Sequence, residues 1–356
     1  MSTTHLSGSY LVIELTNKCN LACVHCAVSE EGHAHHHQLG FIEPRLIEEV
    51  LDDLQQKGAR FDSLILFWLG EPLLHPEFND IYRMVLRSAV RYGTFGKIEV
   101  HSNAIALTDS KRATLINNAS VPQVLHCSLD AATSETYLRI KGRRQLKIAN
   151  DNARSILMER RAKNASWPRV VIQFIVGSNN VVEVPEFHRY WMEVGQRNGT
   201  IVSAAGHVPK GTEDCIFFRQ LDCPTSELQD RENTIFREAM QREGLFIPPQ
   251  NQEIEKVTSD NLKPCSGFWK SPVIDWTGNI TVCTRDNELH NSVGSLKDSS
   301  FSSLWWGNKM AAQRKKVSCG NYDDLSLCQT CFIPKSLNHT SITSEEIQQH
   351  DAGAYT

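Results

Sequence analysis

The chain has 356 residues, 40% of them hydrophobic and 8% aromatic, which is enough for one large domain with its own core and a smaller one. Lys and Arg number 37 against 41 Asp and Glu, and this net charge of −4 argues against a general nucleic-acid binder. The amino-terminal segment lacks the pattern of a signal peptide, and no run reaches transmembrane length, so we expect a cytoplasmic protein without membrane contact.

Short apolar runs alternate with helical patterns over the first two hundred residues. The predicted strands are 10–16, 63–70, 97–103, 123–130, 169–177 and 200–207. The segments with helical spacing between them are 43–58, 76–93, 108–119, 146–163 and 184–199. This alternation predicts right-handed βαβ units and a parallel sheet. Six repeats predict an α/β fold, a partial (β/α)6 TIM-like barrel over residues 1–210, with its chemistry at the carboxyl ends of the strands.

The pattern changes after the sixth predicted strand. Residues 211–264 are polar and read as an irregular connecting region with one helix at 226–243. Residues 265–335 contain a predicted hairpin at 271–283 and a helix at 300–316. They carry so little apolar sequence that a small domain there would need metal to fold. The last segment, 336–356, reads as a polar, poorly packed tail.

Eleven cysteines are too many for simple packing in a reducing compartment, and metal ligation explains them better than disulfides do. Cys19, Cys23 and Cys26 follow the first predicted strand directly, with the spacing C-x3-C-x2-C. Three thiolates around a 4Fe–4S cluster leave one iron open for another ligand, as catalytic metal sites do. A zinc site completed by His25 or a later histidine stays open as the alternative.

Four further segments follow the second to fifth strands: "LGEP" (69–72), "HSNA" (101–104), "SLDA" (128–131) and "IVGSNNVVEVPEF" (175–187). Together with the cysteine loop, and in this order, they resemble the radical S-adenosylmethionine (radical SAM) superfamily. The sequence departs from that pattern at Leu69 and Ala104, where relatives have glycine.

The resemblance implies that the three cysteines hold a 4Fe–4S cluster whose open iron is chelated by SAM. It implies that SAM is bound by Gly70, Glu71, Pro72, Asn103, Ser128, Asp130 and Asn180. It also implies reductive cleavage of SAM to a 5′-deoxyadenosyl radical, which abstracts a hydrogen atom from a substrate. The electron would come from a low-potential reductant such as flavodoxin or ferredoxin.

A second cysteine set, Cys265, Cys283, Cys328 and Cys331, resembles the SPASM/Twitch-type extension of radical SAM enzymes. The resemblance implies a small C-terminal iron–sulfur domain with one auxiliary 4Fe–4S cluster closed by four thiolates. A zinc ribbon is the alternative, and Cys319 could replace one ligand. The layout is similar to that of 2-deoxy-scyllo-inosamine dehydrogenase.

The sequence determines the substrate less closely than it determines the cofactors. The predicted barrel begins within about ten residues of Met1, which leaves no room before it for a peptide-recognition domain. We therefore expect a small polar substrate. A sugar, aminocyclitol or nucleoside would be oxidised or epimerised. A peptide-maturation enzyme is the alternative, and a non-enzymatic zinc or iron–sulfur module a more distant one. The candidate hydrogen donors and pocket groups are Cys215, Cys223 and His207.

Other residues have simpler interpretations. Cys127 is predicted to pack under a helix, whereas Glu99 and His101 are possible polar groups of the pocket. The basic run "KGRR" (141–144) reads as a solvated loop or a phosphate contact, and the histidine-rich run 33–37 as a solvated loop.

Overall fold

A computed structural model describes residues 7–26, 38–223, 225–245, 264–331, 342–343 and 345–348 of the chain. The histidine-rich run 33–37 and most of the predicted tail lie outside these ranges. Within them no helix has both the length and the apolar character that crossing a membrane requires.

All strands with named bounds join one sheet. They are β1 (Ser7–Ile13), β2 (Arg60–Leu66), β3 (Ile98–Ser102), β4 (Gln123–Ser128), β5 (Arg169–Val176), β6 (Ile201–Ala205), β7 (Asp214–Gln220), β8 (Val273–Ile274), β9 (Asn279–Thr281) and β10 (Gly294–Ser295). Their spatial order is β10-β9-β8-β1-β2-β3-β4-β5-β7-β6, and β1 to β7 are parallel to their sheet neighbours. The predicted α/β fold with a parallel sheet in the form of a partial barrel is confirmed.

Helices alternate with the barrel strands and follow them in the carboxyl-terminal part. They are α1 (Pro44–Gln56), α2 (Phe78–Tyr92), α3 (Asp109–Leu115), α4 (Ser134–Lys141), α5 (Leu146–Ala162), α6 (Val184–Asn198), α7 (Ser226–Arg242), α8 (Gly267–Lys270), α9 (Phe301–Trp305), α10 (Asn308–Ser318) and α11 (Ser326–Thr330). Local signals fix several ends: Pro44 opens α1, and Gly93 and Gly142 end α2 and α4 in the left-handed conformation that glycine adopts without strain. Helix α4 is absent from the predicted elements.

Strand β7 corrects the interpretation of 211–264 as an irregular connection. It lies between β5 and β6, so the barrel sheet has seven parallel strands and continues past residue 210, the predicted end of the first domain. Its apolar run, Cys215 to Phe218, is only four residues long and is bounded by polar segments. Pairing with β5 and β6, which no local pattern reveals, stabilises it as a strand.

The carboxyl-terminal part continues the same sheet. Strand β8 pairs in parallel with β1, Val12 opposite Val273, and the predicted hairpin is formed by β8 and β9. The single helix predicted at 300–316 is wrong: α9 and α10 are separated at Gly307, where a Cβ would lie 1.9 Å from the carbonyl oxygen of Ser303. The predicted tail is also partly packed, because Ile342 is buried in the main core.

Candidate functional site

The cysteine loop leaves the carboxyl end of β1 and is held by the end of α4. The backbone N–H of Ala22 donates to the carbonyl of Lys141 at 3.1 Å, and that of Val24 donates to Ile140 at 2.9 Å. Gly142 allows this approach, because a Cβ there would lie 2.7 Å from the carbonyl oxygen of Ala22. The loop conformation therefore depends on a helix more than a hundred residues later in the chain.

The three thiols of this loop lie close enough to affect one another. Burial of the thiol, together with the nearby Glu71, Cys23 and Cys26, raises the pKa of Cys19 to about 12. Thiols that repel one another as thiolates suit a cationic iron centre, which would offset that repulsion. The Asn103 Nδ2 lies 3.9 Å from the Cys19 sulfur, in position for an N–H···S contact. The residues present therefore fit a three-thiolate cluster site.

The "LGEP" segment packs directly against the same loop. At Gly70 a Cβ would lie 2.1 Å from the carbonyl oxygen of Thr16 and 2.7 Å from that of Lys18, so only glycine fits. The Glu71 N–H donates to the Lys18 carbonyl at 2.9 Å, and Pro72 begins the short 3₁₀ turn Pro72–Leu74.

The Glu71 side chain joins the ends of β2 and β3. Its carboxylate accepts from the Ser102 hydroxyl at 2.8 Å, the Asn103 N–H at 2.7 Å and the Leu73 N–H at 3.0 Å. Burial raises the pKa of Glu71 despite these hydrogen bonds. Asn103 in turn donates to the Asn20 side chain at 2.7 Å. Glu71 thus positions Asn103 beside the cysteine loop.

Asp130 and Lys141 form a buried ion pair behind the loop, with only 0% and 4% of their side chains exposed. Burial alone would lower the pKa of Lys141, but Asp130 and the Cys23 thiol outweigh it and raise that pKa. The interpretation of 141–144 as a solvated loop is therefore wrong for Lys141. The Asp130 carboxylate also accepts from the Ile175 N–H at 2.7 Å. The backbone φ of Asp130 is +60°, in the left-handed region.

Ser128 and Asn180 complete the predicted SAM-binding set. Gln173 donates to the Ser128 hydroxyl at 3.0 Å. The Asn180 amide donates to the carbonyls of Asp130 at 2.9 Å and Ile175 at 2.8 Å, and its oxygen accepts from Gly177. Asn180 is buried and fixes the loop after β5, so it would act on a ligand through the backbone that it orients.

The remaining cysteine and histidine candidates do not come together. Cys127 is buried in the main core, as predicted. Cys215 lies inside β7 and is fully buried, so it is not part of an irregular connection as predicted for 211–264. Cys223 is buried just after β7, and His207 is exposed just after β6. Their predicted hydrogen-donor and pocket roles stay predictions.

The second cysteine set converges. Burial, together with the nearby Cys265, Cys283 and Cys331, raises the pKa of Cys328 to about 12. All four are half-buried, whereas Cys319 is exposed at the end of α10.

Amide donors face two of these sulfurs. The Arg285 N–H lies 3.4 Å from Cys283, and the Asn291 side-chain amide lies 3.5 Å from Cys328. Thiolates that repel one another and accept N–H donors fit a closed iron–sulfur site.

Glu14 connects the two cysteine regions. Its carboxyl oxygens accept from the N–H groups of Leu69 and Trp276, each at 3.1 Å. Burial, with a smaller contribution from Asp275, raises the pKa of Glu14 to about 8. The Trp68 indole donates to the Thr284 carbonyl at 2.8 Å across the same boundary. The second domain is thereby fixed against the carboxyl end of the barrel.

Comparison with known families agrees with both sites. The radical SAM superfamily model matches residues 13–186, and the SPASM model, an iron–sulfur cluster-binding domain, matches residues 265–332. The chain belongs to the radical SAM superfamily. Its cofactors are accordingly SAM and 4Fe–4S clusters, and radical SAM enzyme chemistry is expected of it.

One curated relative is the tungsten-containing aldehyde ferredoxin oxidoreductase cofactor-modifying protein of Pyrococcus furiosus. It is 21% identical over 349 residues, which cover 92% of this chain and 90% of that protein. The mycofactocin maturase MftC of Mycobacterium tuberculosis is 22% identical over 326 residues, covering 88% and 76%.

Solved structures share the fold of this radical SAM protein. BtrN, in complex with AdoMet and 2-DOIA, has a TM-score of 0.50 at 14% identity, covering 91% of this chain and 92% of that one. BtrN is the 2-deoxy-scyllo-inosamine dehydrogenase to which the sequence layout is similar. Streptococcus suis SuiB bound to precursor peptide SuiA has a TM-score of 0.56 at 13% identity, covering 94% and 75%.

The sequence interpretation missed Lys141, Ser102, Asn20 and Glu14. Each is an ordinary polar residue whose partner lies between 11 and 262 residues away in the chain. No local spacing indicates such pairs.

Proposed function

We propose that this protein is a radical SAM enzyme that abstracts a hydrogen atom from a peptide substrate and thereby matures it. The observation that carries the proposal is that the similarity to a maturase, MftC, extends over 326 residues and 88% of this chain, and so is not confined to the barrel. A small-molecule substrate was the first expectation from the sequence, and the maturase relationship favours the peptide alternative.

In this proposal Cys19, Cys23 and Cys26 ligate the SAM-binding cluster, and Cys265, Cys283, Cys328 and Cys331 ligate the auxiliary cluster. The backbone at Gly70, Glu71 and Pro72 and the side chains of Asn103, Ser128 and Asp130 bind SAM, with Asn180 orienting the loop after β5. When bound, the cluster and SAM supply a 5′-deoxyadenosyl radical that takes a hydrogen atom from the substrate.

The protein's own contribution is orientation and exclusion of water. Glu71 holds Asn103 toward the cysteine loop by two of its hydrogen bonds, and Lys141 balances the charge of Asp130 where solvent is absent. Glu14 keeps the auxiliary-cluster region against the barrel through its hydrogen bonds with Leu69 and Trp276.

An electron donor must reach the cysteine loop from outside. The exposed residues beside that loop include Val24, at 62% exposure, and the arginines 139, 143 and 144 at the end of α4. This basic edge suits an acidic low-potential carrier such as flavodoxin or ferredoxin. The part of the "KGRR" run outside Lys141 thereby has a role in the proposal.

A second candidate is oxidation of a small polar molecule. It is favoured by the cofactor-modifying relative, which this chain matches over 90% of that protein's length. Both candidates share the barrel site and differ in what occupies the barrel opening.

The deciding experiment is substrate-stimulated formation of 5′-deoxyadenosine by the anaerobic, cluster-loaded protein with SAM and dithionite. One pool would contain peptides, the other sugars, aminocyclitols and nucleosides. Stimulation by peptides alone supports the proposal, and stimulation by the second pool alone overturns it in favour of the second candidate. A Cys23→Ser variant is the control, because it should be inactive with either pool.

A further inference from the structure

Three potential metal ligands lie inside the barrel, below the proposed SAM site. Glu99 and His101 belong to β3, and His126 belongs to β4, where it pairs in register with His101. They share the strand faces of Asn103 and Ser128. His101 and His126 come two residues earlier and therefore lie about 6.5 Å deeper along the strands than the SAM-binding layer, and Glu99 comes four residues earlier and begins about 13 Å deeper.

The distances within this cluster, which we call the His–Glu–His cluster, match a metal site. The Glu99 Oε2 lies 3.3 Å from the His126 Nε2 and 3.8 Å from the His101 Nε2. One ligand atom from each residue falls within 4.8 Å of the other two. Bonds of about 2.0–2.1 Å to a tetrahedral Zn²⁺ place neighbouring ligand atoms about 3.3 Å apart. The Glu99–His126 distance already has this value, and the Glu99–His101 distance is about half an ångström longer.

The side chains are held in place by their neighbours. Phe67 stacks on His101 at 5.4 Å between ring centroids, and His101 stacks on His126 at 4.0 Å. Lys97 pairs with the other Glu99 oxygen, Oε1, at 2.8 Å. The Glu99 Oε2 is thereby left to the two imidazoles.

Two imidazole nitrogens in this cluster lack a hydrogen-bond partner among the described residues. They are the His101 Nε2, on the side facing Glu99, and the His126 Nδ1. His126 is only 5% exposed, so water does not replace the missing partner readily. An unpaired buried polar atom destabilises the folded protein, and a bound cation would remove that cost at His101.

We propose that Glu99, His101 and His126 bind one divalent transition-metal ion of the Zn²⁺ type. Three protein ligands leave a coordination position open toward the barrel interior, where an oxygen or nitrogen ligand such as water or a substrate carboxylate can bind. This site is separate from both cysteine sets and does not depend on which substrate the enzyme uses.

The test uses the cluster-loaded, oxidised protein with Zn²⁺ or Co²⁺ as the probe. After excess metal is removed, elemental analysis should find one zinc per chain beyond the iron of the clusters. Co²⁺ should give a high-spin EPR signal with nitrogen hyperfine coupling, since oxidised 4Fe–4S clusters are EPR-silent. Competition with a chromophoric chelator measures the Kd.

We expect His126→Ala and the nearly isosteric Glu99→Gln each to weaken Zn²⁺ binding at least 100-fold, with iron content unchanged. His188→Ala is the matched control: His188 lies 3.0 Å from Glu243 and 2.7 Å from Ser203, in no proposed site, and its loss should leave the Kd unchanged. No bound equivalent in the wild type, or an equivalent that persists in both variants, overturns the proposal. Neither result depends on SAM cleavage or on a substrate.

Discussion

The buried Asp130–Lys141 ion pair makes the sharpest prediction about stability. Replacing Lys141 by Met keeps a side chain of similar length but leaves the Asp130 carboxylate without its cation in a fully buried position. Breaking such a pair costs about 3–5 kcal/mol. Asp130 keeps its hydrogen bonds from the Ile175 N–H at 2.7 Å and the Ser128 hydroxyl at 3.4 Å, so we expect the lower end, about 3 kcal/mol.

Urea unfolding of the anaerobic, cluster-loaded protein measures this loss. With a slope of about 3 kcal/mol per molar urea, the midpoint should fall by about 1 M. The double variant Asp130→Asn with Lys141→Met should recover most of it, because a neutral amide no longer needs a cation and can still accept from Ile175. Lys147→Met, which breaks an exposed pair with Asp151, should change the free energy of unfolding by less than about 0.5 kcal/mol. If Lys141→Met behaves like Lys147→Met, or the double variant is no better than the single one, the reasoning is refuted.

Three further predictions concern the clusters, pH and the reductant. Cys23→Ser should abolish 5′-deoxyadenosine formation and remove about half of the bound iron. Cys283→Ser should remove the other half and leave SAM cleavage measurable. Loss of all iron in either variant would contradict the presence of two independent cluster sites. The pKa of Glu14 near 8 lies above its unfolded value, so its contribution is complete at low pH and is lost as the pH rises toward 8. Relative to Glu14→Gln, the wild type should therefore lose about 2 kcal/mol of stability in thermal melts between pH 6.5 and pH 8. The buried histidines with lowered pKa contribute the same pH dependence to both proteins, so an equal pH dependence in the two would contradict the prediction. Reversing the charge of both Arg143 and Arg144 should slow flavodoxin-driven SAM cleavage about tenfold at low salt while the dithionite-driven rate stays the same; an equal loss with dithionite would show that the arginines act on the site itself.

The alternation of apolar runs and helical patterns was sufficient to predict the barrel. The strand and the helix of each βα unit have their own hydrophobic periodicity, which is visible in contiguous residues. Strand β7 escaped prediction, since its four apolar residues become a strand only by pairing with β5 and β6. The helix break at Gly307 was not predicted, because a glycine inside a helical pattern does not by itself end a helix. Only the structure shows that the Ser303 carbonyl lies where a Cβ of residue 307 would be.

Part of the candidate site could likewise be predicted from the sequence, and part could not. Clustered cysteines and the short segments at the strand ends were visible in the sequence because cluster and SAM binding use residues that are close together in the chain. The functions of Lys141 and Glu14 were not visible, because a charged residue at a helix end or strand end has the same local appearance whether it is solvated or buried. Lys141 became a buried cation because α4 folds back onto the cysteine loop.

By itself, the sequence determined the fold class, the two cysteine sets and membership of a radical SAM family, since these depend on local periodicity and on ligands a few residues apart. Only the tertiary structure decided which polar side chains are buried and paired: Glu14 between the two domains, Asp130 with Lys141, and Glu99 with His101 and His126. The physical reason is that the cost of burying a charge depends on partners supplied by distant segments, and their approach is settled only when the sheet and helices have packed.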